Sequence, residues 1–307
     1  MSRGAGGLLA ILVTAVLWGT TGTAATFAPL AGPLAIGAAA MGIGGILQSL
    51  IALRAMHRSR SLLLRNRGLI VLGAVSVAVY PLAFYTSMRL GGVAVGTVVS
   101  LASAPLASAV LERTIDGTPL TRRWMLAAAL AVGGSVVLCL SRVSAPSGTG
   151  AATVWSVVLG LVAGVTYALY SWVVHRMMQR NVGRGASMGA VFGLGGVLLI
   201  PVLLATGGPL LSSTQSLAVA AYMALVPMFL GYFLFGIGLA RVRPSTATTL
   251  TLIEPAVAAV LAIVVVGERM GVAGWVGLAL IGVGLVLLTV RRGEPNQLGW
   301  TMGHSSR

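Results

Sequence analysis

The chain has 307 residues, of which 57% are hydrophobic and only 8% are charged, and its mean hydropathy is +0.98. A soluble domain carries roughly a quarter charged residues, so this composition excludes one and indicates an integral membrane protein. The formal charge is +15, and every basic residue is an arginine in or beside the stretches that separate the apolar runs. This arrangement argues against nucleic acid binding and makes the lipid bilayer the expected partner.

Apolar runs of membrane-spanning length repeat along the chain. One crossing of the hydrocarbon core needs about 20 such residues. The sequence therefore predicts an all-α protein with about ten transmembrane helices, near residues 7–28, 33–53, 68–88, 92–111, 121–141, 152–174, 186–205, 217–238, 245–266 and 272–290.

The arginines predict the orientation. If the amino terminus is cytoplasmic, 17 of the 20 arginines lie inside, and only Arg89, Arg142 and Arg269 lie outside. Cytoplasmic loops are enriched in basic residues. We therefore expect a multi-pass protein of the cell (inner) membrane with both termini in the cytoplasm.

In the first three segments, aromatic residues surround a helix-breaking proline. Segment one carries Trp18, whereas segment two is mostly small and aliphatic and offers packing surface with little chemistry. Segment three places Pro81 between Tyr80 and Tyr85, and a bend at membrane depth requires neighbours or a cavity to satisfy the freed carbonyl. The linker Arg54–Arg67 holds five arginines and could bind anionic lipid headgroups as well as fix topology.

Segments four and nine share a pattern of hydroxyl residues followed by a proline. Segment four has Ser100 and Ser103 on one helical face before Pro105, and segment nine has Thr248 before Pro255. The hydroxyls either line a site or bond to their own helix backbone, as is common in membrane helices. The prolines are candidate hinges or gates.

Segments six and eight supply further aromatic residues. Tyr167 and Tyr170 lie in segment six, and Tyr232 follows Pro227, another candidate hinge, in segment eight. The halfway linker, 142–151, is short and flexible by composition, and the polar tail is predicted to be disordered.

Glu254 is the one acid near the middle of a predicted segment. The other four acids, Glu112, Asp116, Glu268 and Glu294, fall in or beside loops or in the tail. A carboxyl at mid-depth is costly and is a functional candidate by default. It could instead be a protonated group bonded to a neighbouring helix, or it could hydrate a wet cavity without a role in coupling.

The sequence shows no set of residues that enzymatic or metal chemistry would require. The three histidines lie at helix ends, in loops or in the tail, and the single Cys139 excludes an internal disulfide and a thiolate cluster. Without an acid pair, an activated nucleophile or a ligand cluster, we expect no enzyme, no metal and no cofactor.

The second half of the chain repeats the first. Pro255 corresponds to Pro105, and Trp275 corresponds to Trp124, about 150 positions later. The repeat predicts a first unit at 1–145, a second at 146–292 and a cytoplasmic tail at 293–307. Because each unit has five helices, an odd number, the second enters the membrane inverted, as in transporters with alternating access.

The sequence resembles the ten-helix EamA-type exporters of the drug/metabolite transporter superfamily, and within them the aromatic amino acid exporter group called YddG. The resemblance rests on ARVRPSTATTLTLIEPAVAAVLAIVVVGER, on LWG at 17–19 and on YALY at 167–170. In the first half, Ala104 stands where the family has a glutamate before the proline. The resemblance implies a central cavity lined by segments one, three, four, six, eight and nine, with five and ten outside it.

We therefore expect a secondary transporter that exports aromatic and other apolar amino acids, or related small metabolites, by alternating access. Aromatic rings contact an apolar side chain, while hydroxyls and freed helix ends hold the zwitterion. A proton-coupled drug exporter that uses Glu254, and a membrane protein that binds without transporting, stay open, as does the choice between monomer and homodimer. The candidate lining residues are Trp18, Tyr80, Tyr85, Ser100, Ser103, Tyr167, Tyr170, Tyr232, Thr248 and Glu254; the candidate hinges are Pro81, Pro105, Pro227 and Pro255.

Overall fold

The computed structural model describes residues 3–141, 150–266 and 270–289. Most of the halfway linker, Glu268 and Arg269, and the tail at 293–307 lie outside these residues, so what the sequence predicts for them stays a prediction. Throughout the described ranges the regular structure is helical. The predicted all-α membrane fold is confirmed.

Ten helices in the described residues are long and apolar enough to cross a bilayer. They lie close to the ten predicted segments and differ from them mainly at the ends. They are α1 (Ala5–Ala25), α2 (Pro33–Arg58), α3 (Arg67–Gly92), α4 (Val95–Thr114), α5 (Arg122–Leu140), α6 (Gly150–Gln179), α7 (Arg184–Thr206), α8 (Thr214–Leu239), α9 (Pro244–Val265) and α10 (Val272–Thr289).

The arginine-rich stretch after the second predicted segment is mostly helical. Helix α2 continues to Arg58, and a short helix follows at Arg60–Arg65. The stretch contains neither proline nor glycine, so nothing in the local sequence stops the helix where the apolar run ends. Its five arginines are exposed, on the end of α2, on the short helix and at the start of α3.

Gly92 separates α3 from α4. Its φ of 84° falls in the left-handed region, which glycine adopts without a steric penalty. The two helices therefore follow one another with no loop between them, and Arg89, predicted to be in an outer loop, is still within α3.

Helices α8 and α9 are irregular near their middles. Around Pro227, α8 widens into a π-helical stretch at Ala224–Leu230. Helix α9 begins with Pro244–Leu250 and Ile253–Leu261, with Thr251 and Leu252 between them in a turn, and it ends in a π-helical stretch at Ala262–Val266. Such irregular backbone is tolerated in a membrane only where protein or a cavity satisfies the polar groups.

The helices pack mainly in three groups: α3 and α4 against α6, α2 against α7, and α5 against α10. Glycines allow the closest approaches. A Cβ added at Gly134 of α5 would lie 2.7 Å from the carbonyl oxygen of Gly277 in α10. Helix association in lipid depends on such close contact, because burial from water does not drive it. Helices α5 and α10 contact each other more than they contact any other helix.

Candidate functional site

A small enclosed cavity lies between α1, α2, α3, α8 and α9. The volume open to the centre of a water molecule is about 20 Å³, which is room for roughly one water. We call it the central cavity. Its walls are Trp18, Thr21, Gly37, Ala40, Met41, Tyr80, Pro81, Phe84, Tyr85, Met228, Tyr232 and Glu254.

Aromatic rings form a continuous network around this cavity. The ring centroids of Trp18 and Tyr232 are 4.8 Å apart, and those of Tyr80 and Phe84 are 5.6 Å apart. Such separations are typical of interacting aromatic pairs. The network extends behind the cavity wall through Tyr167, Tyr170, Phe192 and Phe235.

Side chains of α1 and α2 donate hydrogen bonds to backbone carbonyl oxygens in and beside the irregular stretch of α8. The indole nitrogen of Trp18 donates to the carbonyl oxygen of Pro227 at 2.9 Å, and the amide nitrogen of Gln48 donates to that of Phe229 at 2.6 Å. The hydroxyl of Thr14 donates to the carbonyl of Gly231 at 3.0 Å. A π-helical turn leaves carbonyls outside the usual ladder, and here they connect α8 to its neighbours.

The interruption of α9 places Glu254 in the first turn of its second part. The amide of Glu254 donates to the carbonyl of Thr251 at 2.9 Å, and the Thr251 hydroxyl bonds to the hydroxyl of Tyr167 at 2.9 Å. These bonds hold the turn against α6. The side chain of Glu254 borders the central cavity and is 9% exposed.

The carboxyl of Glu254 has no hydrogen-bond or ion-pair partner in the part of the chain that the structure describes. The same holds there for the hydroxyls of Tyr80 and Tyr85, which also border the cavity. Buried polar groups are normally paired. Three polar groups without partners in the described chain therefore face one cavity, where water or a ligand can reach them.

The structure brings about half of the predicted site residues together. Trp18, Tyr80, Tyr85, Tyr232 and Glu254 line the central cavity. Tyr167 and Tyr170 are fully buried in the ring network behind it, and the hydroxyl of Tyr170 bonds to that of Tyr232 at 2.8 Å. The aromatic part of the prediction therefore assembles as one cluster.

The predicted hydroxyl residues lie elsewhere. Ser100 donates to the carbonyl of Gly96 at 2.7 Å, one helical turn earlier. Ser103 likewise donates to the carbonyl of Ser100, and Thr248 donates to that of Pro244. These bonds agree with the interpretation in which the hydroxyls serve their own helix backbone, and none of the three residues borders the central cavity.

The four prolines occupy different settings. Pro81 borders the central cavity within α3, Pro227 lies in the π-helical stretch of α8, and Pro255 directly follows Glu254 in the first turn after the α9 interruption. Pro105 lies within α4, which continues as a helix through it. A proline in a first helical turn leaves fewer bonds unmade than one in a helix interior.

Helix α2 is a wall of the cavity that sequence reasoning did not assign. It contributes Gly37, Ala40 and Met41, whereas α4 and α6 contribute nothing to this small space. Small side chains on α2 allow it to approach the rings of α3, and the Cβ of a residue at position 37 would lie 2.9 Å from the ring of Tyr85. Small residues carry no chemical signature, so the pattern gave no sign of this role.

A second buried acid was also missed. Glu112, near the end of α4, is only 2% exposed. Its two carboxylate oxygens accept from the amide and the hydroxyl of Ser245 at 2.7 and 2.8 Å. Glu112 thus caps the amino terminus of α9, where backbone amides lack partners within the helix.

Asp116 ties the same end of α4 to α6. Its carboxylate accepts from the indole nitrogen of Trp172 at 2.8 Å and from Arg176 at 2.9 Å. His175 of α6 contacts the carbonyl oxygen of Leu239 in α8 at 2.7 Å. Within the described residues, no three or more of His, Cys, Asp and Glu gather as they would around a metal ion.

Comparison with known proteins places this arrangement in a family. The profile of the EamA-like transporter family matches residues 5–140 and again residues 154–290. The chain belongs to the EamA-like transporter family. The resemblance to EamA-type transporters inferred from the sequence is therefore confirmed, and with it a multi-pass membrane transporter.

Individual relatives agree with this assignment. The uncharacterized transporter YwfM of Bacillus subtilis is 34% identical over 92% of this chain and 93% of its own. A probable terminal-alkyne amino-acid exporter of Streptantibioticus cattleyicolor is 29% identical over 62% of each chain. A solved structure titled "Crystal structure of protein" superposes with a TM-score of 0.76 at 18% identity, covering 93% of this chain and 96% of that one, which shows the fold alone.

Proposed function

We propose that this EamA-like protein is a secondary transporter that exports amino acids with aromatic or other apolar side chains, or closely related small metabolites, by alternating access. The observation that carries the proposal is the central cavity, where unpaired polar groups face a shell of aromatic rings beside the interruption of α9. Rings and methyl groups provide contact area for an apolar body, and a few polar groups orient it. The Streptantibioticus relative, named as an amino-acid exporter, supports this substrate class.

The proposal includes an inner-membrane location, cytoplasmic termini and two inverted halves at 1–145 and 146–292. The asymmetric distribution of the arginines supports the orientation. Two separate matches to one family profile, one in each half, support the repeat. The contacts between α2 and α7 and between α5 and α10, which occupy equivalent places in the two halves, support an internal two-fold relation.

The polar contacts of Glu112, Asp116 and His175 support a state closed toward the cytoplasm. They join the ends of α4, α6, α8 and α9 that the arginines assign to the cytoplasmic side. At the opposite ends of α1, α8 and α9 a more open groove of about 440 Å³ is lined by Thr20, Phe27, Tyr222 and Leu261, among others. In alternating access, the closed end has to open while the other closes.

A proton-coupled drug exporter is the second candidate. The unpaired carboxyl of Glu254 favours it, because a buried carboxyl without a fixed partner can exchange a proton for a substrate. Both candidates use the same cavity, and they differ in the driving force and in the solute.

Transport by the purified protein in liposomes separates the candidates. We expect saturable exchange of labelled phenylalanine or leucine that unlabelled apolar amino acids inhibit and aspartate does not, with protein-free liposomes as the control. Accumulation of a cationic dye driven only by an imposed pH gradient, with no movement of amino acids, would favour the drug exporter. Binding of amino acids without any transport would contradict both candidates.

A further inference from the structure

The walls of the central cavity carry one kind of charge. Glu254 is the only ionisable acid or base among its lining residues in the described chain, apart from the tyrosine hydroxyls. Of the residues that the structure describes, no arginine, lysine or histidine lines it. An ionised carboxylate in such a place attracts a cation and repels a second carboxylate, and the low dielectric surroundings strengthen both effects.

The side-chain donors of α1 beside the cavity are already in use, whereas the hydroxyls of Tyr80 and Tyr85 can each donate or accept. The indole nitrogen of Trp18 donates to Pro227, and the hydroxyl of Thr21 donates to the carbonyl of Trp18 at 2.7 Å. At the interruption of α9, the amides of Leu252 and Glu254 donate to carbonyls of Thr249 and Thr251, and Pro255 has no amide hydrogen.

Unpaired acceptors, in contrast, match an ammonium group. The cavity has three polar groups without partners in the described chain: the carboxyl of Glu254 and the hydroxyls of Tyr80 and Tyr85. An ammonium group has three N–H donors, each of which needs an acceptor. The rings of Trp18 and Tyr232 add faces that attract a cation.

From these observations we infer that the central cavity recognises its substrate by an ammonium group and does not require a carboxylate. The substrates are then primary amines with an aromatic or apolar body, and zwitterionic amino acids are the weaker members of that class. The free space, room for roughly one water, suits an ammonium group. The rest of the substrate enters as the neighbouring helices separate. The inference rests on the proposed function and narrows its substrate class.

Three probes with the same phenyl group test the inference. Phenethylamine carries only the amine, phenylalanine carries the amine and the carboxylate, and 3-phenylpropionate carries only the carboxylate. Binding to the full-length protein in nanodiscs is measured by calorimetry. We expect phenethylamine to bind at least about tenfold more tightly than phenylalanine, and 3-phenylpropionate not to bind.

Variants identify the group responsible. Glu254→Gln keeps the shape of the side chain but cannot ionise, so it should weaken phenethylamine binding by roughly 10- to 100-fold and remove the preference for the amine. Tyr85→Phe removes one unpaired acceptor and should reduce binding several-fold. Ser100→Ala is the control, because that hydroxyl donates to the carbonyl of Gly96 in its own helix and does not border the cavity, and it should leave the preference unchanged.

The outcomes separate the two proposals. If phenylalanine binds as well as phenethylamine, or if Glu254→Gln keeps the preference, the inference is wrong while amino acid export stands. If wild-type protein neither binds nor transports any of the three probes, the proposed function fails as well. Size-exclusion elution of each variant as a monodisperse peak shows that a loss of binding does not reflect unfolding.

Discussion

Two buried carboxyls in this protein have opposite surroundings. Glu112 is 2% exposed, and both of its oxygens accept hydrogen bonds from Ser245 at the start of α9. Glu254, ten positions further along that helix than Pro244, is 9% exposed and has no partner in the described chain. One carboxyl holds two helix ends together, whereas the other faces a cavity.

The difference teaches how to separate structural acids from functional ones in a membrane. Removing a charge from water costs several kcal/mol unless hydrogen bonds compensate. Glu112 receives that compensation from the protein itself. Glu254 does not, so we propose that its partner arrives from outside, as a proton or a substrate amine.

The largest expected effect is an all-or-none difference in cysteine labelling between the two sides of the membrane. Gly207 is the natural choice for an external cysteine label, but it is buried, and a Cβ there would lie 2.5 Å from the carbonyl oxygen of Leu203. Gly208 is exposed and has open space. In a Cys139→Ala background, Gly208→Cys should react with an impermeant maleimide only from outside.

Gly183, exposed between α6 and α7, is the matched position on the other side. Gly183→Cys should react only from the cytoplasm, because the arginines place that connection inside. Labelling of Gly208→Cys from the cytoplasm would invert the orientation and move Glu112 to the outer end of the protein.

The second largest effect should be a difference in the free energy of unfolding between variants of the two carboxyls. Glu112→Ala leaves the amide and hydroxyl of Ser245 buried without acceptors, which should lower the free energy of unfolding by about 2 to 3 kcal/mol. Glu254→Gln removes a group with no partner, so it should change that free energy by less than about 1 kcal/mol. Thermal unfolding in detergent micelles measures both. Equal losses would show that Glu254 is also a structural acid.

The prolines test whether α4 and α9 move as matched gates. We expect the double substitution Pro105→Ala and Pro255→Ala to slow transport by about tenfold while substrate affinity changes less than about twofold, because alanine restores amide donors and stiffens both helices. Pro209→Ala, in an exposed turn, serves as the control. Wild-type transport in the double variant would make the prolines packing residues only.

The smallest expected effect concerns the ring network. Tyr170→Phe removes one hydroxyl from the bond between Tyr170 and Tyr232, at a cost of about 1 kcal/mol in unfolding free energy. Tyr80→Phe removes a hydroxyl with no partner in the described chain and should cost less stability but weaken amine binding. A reversal of these two results would contradict the assignment of the Tyr170 hydroxyl to the ring network and of the Tyr80 hydroxyl to the cavity.

Much of this protein could be predicted from its residues because a bilayer leaves few choices. Ten apolar runs give ten helices, since only helices and closed barrels satisfy every backbone group in lipid. Glu254 could be singled out because an acid at membrane depth is rare, and the aromatic residues could be grouped because they recur in several segments. Helix ends were less predictable, as the continuation of α2 to Arg58 shows.

Hydrogen-bond partners could not be read from the chain, because they join residues far apart in sequence. Glu112 and Ser245 are separated by 133 positions, and Trp18 and Pro227 by 209. Whether a hydroxyl serves its own helix, as in Ser100, or stays unpaired beside a cavity, as in Tyr80, depends on which helix packs next to it. Composition and periodicity thus determined that the chain crosses the membrane as ten helices. Only the packing of those helices decided which polar groups pair with each other and which stay available to a ligand.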